Sequence, residues 1–192
     1  MLTCTTTLGS LIFNFTTNGN GELLRERVSN IANDPAQLGL LLAGVYAIAS
    51  VAQVIVGQLI DRFPLKRIFL PIVAAQVLCF ILAANAQGWL FYVFAVAYMT
   101  FVFGAIPFTD AIIARFVDDS MRSRVAGLRL AVSFGISSVA VWMLGPLVKA
   151  SGFTTLLLTM AVIASLTTLA VFFLPARDPE PTSVAGSNRV AA

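Results

Sequence analysis

Apolar residues run along this chain in long blocks separated by short polar joints. The 26 residues from Pro35 to Ile60 carry no charge at all. A helix crossing the hydrocarbon core of a bilayer needs roughly 20 apolar residues. The pattern predicts six such spans, near 2–24, 38–60, 68–86, 89–114, 125–148 and 152–174. Only "NAQGW" divides the third from the fourth. Asn85 and Gly88 predict a tight turn there, and Trp89 belongs at a membrane interface. Past Leu174 the chain turns to "PARDPEPTSVAGSNRVAA", a Pro/Ser/Gly-rich stretch. The expectation is a six-span bundle over 1–176 and a disordered cytoplasmic tail over 177–192.

Two of these runs are interrupted by polar residues in register. In "TCTTTLGSLIFNFTTNGNGELL", Asn14, Thr17, Asn18 and Gly21 fall at i, i+3, i+4 and i+7, one face of a helix. Amides facing lipid are costly, so this face should look onto a neighbour or a wet cavity. The fourth run offers Thr100, Gly104, Pro107 and Asp110 along one stripe, and Pro107 should kink it. Tyr46 and Gln53 on the second run are weaker candidates. Asp110 and Arg129 are the charges deepest in the predicted spans. They are placed to pair, as a packing contact or as a proton-coupling site.

Composition agrees with a lipid environment and narrows the chemistry. Of 192 residues, 58% are hydrophobic and 11% charged, with mean hydropathy +0.90. Soluble domains carry about 25% charged residues. The absence of histidine removes His-ligated metal sites and the usual general base. No paired-aspartate constellation or nucleophile–base spacing appears either, so no enzyme, metal or cofactor is expected. Cys4 and Cys79 read as small apolar fillers. The net charge of +3 forms no patch suited to nucleic acid. Met1 leads directly into a span with no basic leader. With six spans, Arg62, Lys66, Arg67, Arg115, Arg122, Arg124, Arg177 and Arg189 share one side, and Arg25, Arg27 and Lys149 the other. The positive-inside rule then puts both termini in the cytoplasm.

A shift of 88 residues lays "SVAQVIVGQLI" (50–60) on "SVAVWMLGPLV" (138–148). Over residues 11–60 it gives 13 identities in 50 positions, and it pairs Glu22 with Asp110 and Arg27 with Arg115. The shift moves the first span onto the fourth and the second onto the fifth, an odd number of crossings. The expectation is two inverted three-helix repeats, about 1–86 and 89–174, a construction found in secondary transporters.

Between the second and third spans stands "GQLIDRFPLKR" (57–67). Gly57, Leu59, Asp61, Arg62, Lys66 and Arg67 resemble the loop motif of the major facilitator superfamily, G-x-L-x-D-R-x-G-R-[KR]-[KR]. Pro64 stands where glycine is usual and Leu65 where a base is usual, as is more typical of the C-terminal copy of that motif. "RFVDDSMRSRVAGLRLAVSFG" (115–135) is similar to the joint between the tenth and eleventh spans of such transporters. The resemblance implies the C-terminal six-helix half of a transporter that moves a small solute by alternating access. It implies an N-terminal six-helix half as partner, a bacterial inner membrane location and a proton gradient as candidate driving force. Gly57 would let two helices approach closely, and Asp61 would latch a cytoplasmic gate by pairing with bases of a neighbouring helix. Asp61 would also be favoured by the dipole of the helix that opens the third span. The first and fourth spans would line the substrate cavity through Asn14, Thr17, Asn18, Gly21, Thr100, Gly104 and Pro107. Alternatives are a six-span carrier working as a parallel homodimer, or a truncated fragment.

Overall fold

A computed structural model describes residues 2–173 apart from 33, 109, 112–116 and 118. Arg115 and the tail over 177–192 therefore lie outside the described residues. The elements are α1 (Leu2–Arg27), α2 (Pro35–Arg62), α3 (Leu65–Asn85), α4 (Gly88–Gly104) and α5 (Asp119–Phe172). Pro35 opens α2 at a position where its missing N–H costs nothing. The short joints between elements behave as their residues dictate. Gly88 holds φ +62° at the turn between α3 and α4, the left-handed region that a side chain resists. Trp89 beside it is exposed.

Six spans were expected, and the described residues form five continuous elements, the last of them two helices joined across a break at Gly152. Two physical features set these elements apart from the six apolar spans expected. Four stretches are long and apolar enough to cross a membrane: Pro35–Arg62, Leu65–Asn85, Gly88–Phe108 and Ser120–Phe172. The Thr and Asn residues of α1 keep it out of that set. The last two apolar runs meet in a single element of 54 residues, because Gly152 joins them without a loop. Its φ of 75° and ψ of 170° lie in a region open almost only to glycine.

Gly152 reverses the chain. Before it, α5 runs alongside α1: Ser133 Oγ is 3.1 Å from Ser10 Oγ, and Leu144 lies against Gly19. After it, the order inverts, with Thr154 held by Arg27 and Leu156 back at Gly19. The second arm also runs against α3. Lys66 at the start of α3 donates to the Phe172 carbonyl at 2.7 Å, while Ala86 just past its end accepts from the Arg27 that holds Thr154.

The main core gathers α1, α2, α3, α4 and the second arm around Phe80, Phe91, Tyr98 and Leu157, all buried. A smaller cluster closes one end, where Phe69 stacks on Phe108 with centroids 4.5 Å apart, beside Ile60 and Val171. Elsewhere the surface is apolar. Leu40 and Val54 on α2 and Phe134 and Trp142 on α5 are more than 60% exposed. A surface of this kind is stable against hydrocarbon and not against water.

Helix contact is closest at two glycines. A Cβ on Gly44 would stand 2.9 Å from the Tyr92 hydroxyl, and one on Gly104 would stand 3.2 Å from Val56 Cγ2. Both seat α2 against α4. At Gly57, where the motif implied such an approach, a Cβ would meet nothing within 4 Å. Among the described residues the Gly57 face of α2 is open, while Val56 beside it packs on α4 and Ile60 enters the smaller cluster.

Candidate functional site

A cavity of about 290 Å³ lies between α1, α3, α4 and α5. Its walls are mostly apolar, with Phe13, Phe69, Val102 and Phe134 among them. Polar groups enter from three helices: Ser10 and Asn14 from α1, Gln76 from α3, and Arg129 and Ser133 from α5. Most of their donors are already committed. Asn14 Nδ2 donates to the Ser10 carbonyl at 2.7 Å, and Gln76 Nε2 to the Phe101 carbonyl at 2.9 Å. Among the described residues Arg129 is the one charged residue in the lining.

Arg129 pairs with Asp110, Nη2 to Oδ1 at 2.9 Å. The two partners differ in setting: the arginine side chain is 25% exposed and the aspartate 65%. Arg129 Nε is buried and makes no hydrogen bond. The cation thus belongs to the cavity wall, and its counter-ion lies outside the lining.

Of the other residues singled out on α1 and α4, only Asn14 lines this cavity. Asn18 and Gly21, further along the same face of α1, are exposed, and Asn18 Nδ2 donates back to the Asn14 carbonyl at 2.8 Å. The Thr17 carbonyl accepts from Tyr46 at 3.0 Å, while its hydroxyl is buried without a partner. Thr100 Oγ1 donates to the Val96 carbonyl of its own helix. Gly104 serves helix contact, as described above. The break in α4 falls at Ala105, two residues ahead of Pro107. Proline has no N–H for the Phe103 carbonyl one turn earlier, so the helix gives way there.

The loop motif is spread over two environments. Asp61 and Arg62 lie in the last turn of α2 and are exposed, as is Arg67. Asp61 was expected at the N-terminal dipole of the next helix. Instead Pro64 caps α3, and Asp61 sits at the C-terminal end of α2, where the dipole opposes a carboxylate. No ion pair to Asp61 occurs among the described residues. Lys66 reaches the end of α5, bonded to the Phe172 carbonyl and 5.6 Å above the Phe172 ring centroid.

Three polar residues went unnoticed in the sequence. Asn20, Gln76 and Tyr98 are almost completely buried. Tyr98 donates its phenol to Asn20 Oδ1, tying α4 to α1, while Asn20 Nδ2 is left without a partner. Single amides in apolar runs were the available signal, but their burial depends on which helix lies opposite.

Long apolar helices, an apolar outer surface and a polar-studded cavity inside the bundle define a multi-pass membrane protein. A family profile, that of the Major Facilitator Superfamily, matches residues 5–191. The chain belongs to this superfamily, a class of membrane transporters. No curated protein and no solved structure matches it.

Proposed function

We propose that the chain is the C-terminal six-helix half of a secondary transporter that moves a small solute by alternating access. The observation that carries this reading is the reversal at Gly152. It makes two antiparallel arms of α5, so that with α1 to α4 the bundle has six crossings. Shifting α3 by the repeat offset of 88 carries Leu65–Asn85 onto 153–173, and the second arm begins after Gly152 and ends at Phe172. An inverted repeat requires that correspondence. The partner is an N-terminal six-helix half, seated on exposed apolar faces such as those of α2 and the first arm of α5. Both termini and the Arg62–Arg67 loop face the cytoplasm of a bacterial cell, by the positive-inside rule. No cofactor is required, and a proton gradient drives the cycle through Asp110.

Topology and flux together test this. In a Cys4→Ala, Cys79→Ala background, single cysteines at Phe63 and at Ser151 are labelled from opposite faces of sealed vesicles. Labelling of both from one face removes the inverted repeat. Vesicles carrying the chain with its partner half take up solute under an imposed proton gradient, and Asp110→Asn abolishes the gradient dependence. Unchanged gradient dependence in Asp110→Asn excludes it as the coupling site.

A further inference from the structure

The cavity and its cation have a chemistry that the transport reading leaves open. Among the described residues the lining is apolar apart from a few neutral groups and one guanidinium. A cavity of about 290 Å³ stands at the lower end of the roughly 300–1,000 Å³ usual for small-molecule sites. It suits a body of one ring or one short branched chain. Such walls reject a dianion or a sugar, which would leave many polar groups without partners.

We infer that this cavity binds a small monocarboxylate with an apolar body, its carboxylate taken by Arg129 in exchange for Asp110. Three features support the exchange. Asp110 and the ligand carboxylate are the same functional group, and guanidinium holds either by charge-assisted hydrogen bonds. Arg129 lines the cavity and keeps 25% of its side-chain surface exposed while paired with Asp110, so part of the side chain stays open to a ligand. The aspartate is the more exposed partner, at 65% against 25%. Water can solvate it once it is displaced, while an unpaired Arg129 in the wall would be costly. The ligand's apolar body meets Phe13, Phe69 and Phe134. Ser133, already paired with Ser10, lies on the arginine's own helix one turn further on. Binding therefore turns an internal ion pair into a ligand ion pair and frees the Asp110 carboxylate, six residues past the end of α4. This assignment rests on the transport reading for its purpose, but not for its test.

The test is equilibrium binding to the full chain in lipid nanodiscs, using 4-methylpentanoate, its amide and its alcohol. The carboxylate should bind at least about tenfold more tightly than either neutral analogue, the scale of a charge-assisted hydrogen bond. Arg129→Gln should reduce the carboxylate to the level of the amide. Asp110→Asn should tighten carboxylate binding several-fold, because the internal competitor is gone. A purely structural ion pair gives the opposite pattern, with both variants lowering thermal stability and neither altering carboxylate preference. Ser133→Leu fills the cavity with the ion pair intact and should abolish binding, which keeps the test decisive where Arg129→Gln fails to fold. Equal affinity for carboxylate and amide overturns the inference, as does weaker binding in Asp110→Asn. Flux of neutral solutes without carboxylate preference sinks this assignment alone. Carboxylate binding without any flux sinks the transport reading alone.

Discussion

Arg27, the last residue of α1, donates to the Thr154 hydroxyl and to the Ala86 carbonyl, the latter at 3.4 Å. One side chain, 10% exposed, thereby joins α1, the turn after α3 and the start of the second arm of α5. Its charge is met by Glu26 at 3.8 Å. Replacing Arg27 with Met should lower stability by about 1.5–3 kcal/mol, the value of hydrogen bonds from a charged donor. Reversible unfolding in mixed micelles measures it. Loss of under about 0.5 kcal/mol would show that the three ends hold together without it.

Gly152 is the second point on which that end depends. Gly152→Ala forces a side chain into φ 75°, ψ 170° and should cost about 1–3 kcal/mol. Gly57→Ala is the control. Its Cβ enters open space in α2, so the isolated chain should unfold within about 0.5 kcal/mol of the parent. If Gly57 packs against the partner half, the loss will appear only when both halves are present, as lowered flux.

The buried amide–phenol pair offers a double-mutant cycle. Tyr98→Phe leaves Asn20 with a second unmet group, at about 1–3 kcal/mol. Asn20→Leu alone strands the phenol at a similar cost. The double variant should be more stable than the sum of the single losses allows. Strict additivity would show that the two side chains do not act as a pair.

A tight contact between α2 and α4 can be probed by suppression. Gly44→Ala brings a methyl within 2.9 Å of the Tyr92 hydroxyl, which donates to the Leu41 carbonyl at 3.2 Å. The tyrosine must move and lose that bond, at roughly 0.5–1.5 kcal/mol. Tyr92→Phe in the same chain should recover most of the loss, read as the shift in unfolding midpoint.

Asp61→Asn tests the gate. Asp61 is exposed at the end of α2 with no ion pair among the described residues, so the isolated chain should not change in stability. With the partner half present, flux should fall at least about tenfold, because a latch that favours one packing over the other shifts their populations. Normal flux would reduce the motif to an orientation signal.

Much of this architecture was legible in the chain. Uncharged runs of about 20 residues located the helices, because lipid tolerates little else. Gly88 marked its turn because glycine alone is easy at positive φ. Asp110 and Arg129 were recognised as potential partners because isolated charges in apolar runs need one. Other features depend on tertiary contact. The joint at Gly152 reads like any glycine beside a serine until φ and ψ are known. The stripe of Asn14, Thr17, Asn18 and Gly21 was placed on one face, yet the buried face of α1 runs through Ile12, Thr16 and Asn20. Polarity alone does not say which flank a neighbour covers. Within the chain the close helix approaches fall at Gly44 and Gly104, since they depend on where α4 crosses α2.

The polarity of α1 bears on how the protein is made. α1 is less apolar than the other helices, so hydrocarbon alone holds it less firmly than it holds them. Its Asn20 finds the Tyr98 phenol only after α4 has been synthesised, and its Arg27 finds Thr154 only after α5 has turned back. The first helix in the chain is therefore among the last to be secured. A chain that lacks the second arm of α5 should hold α1 less firmly than the full bundle does.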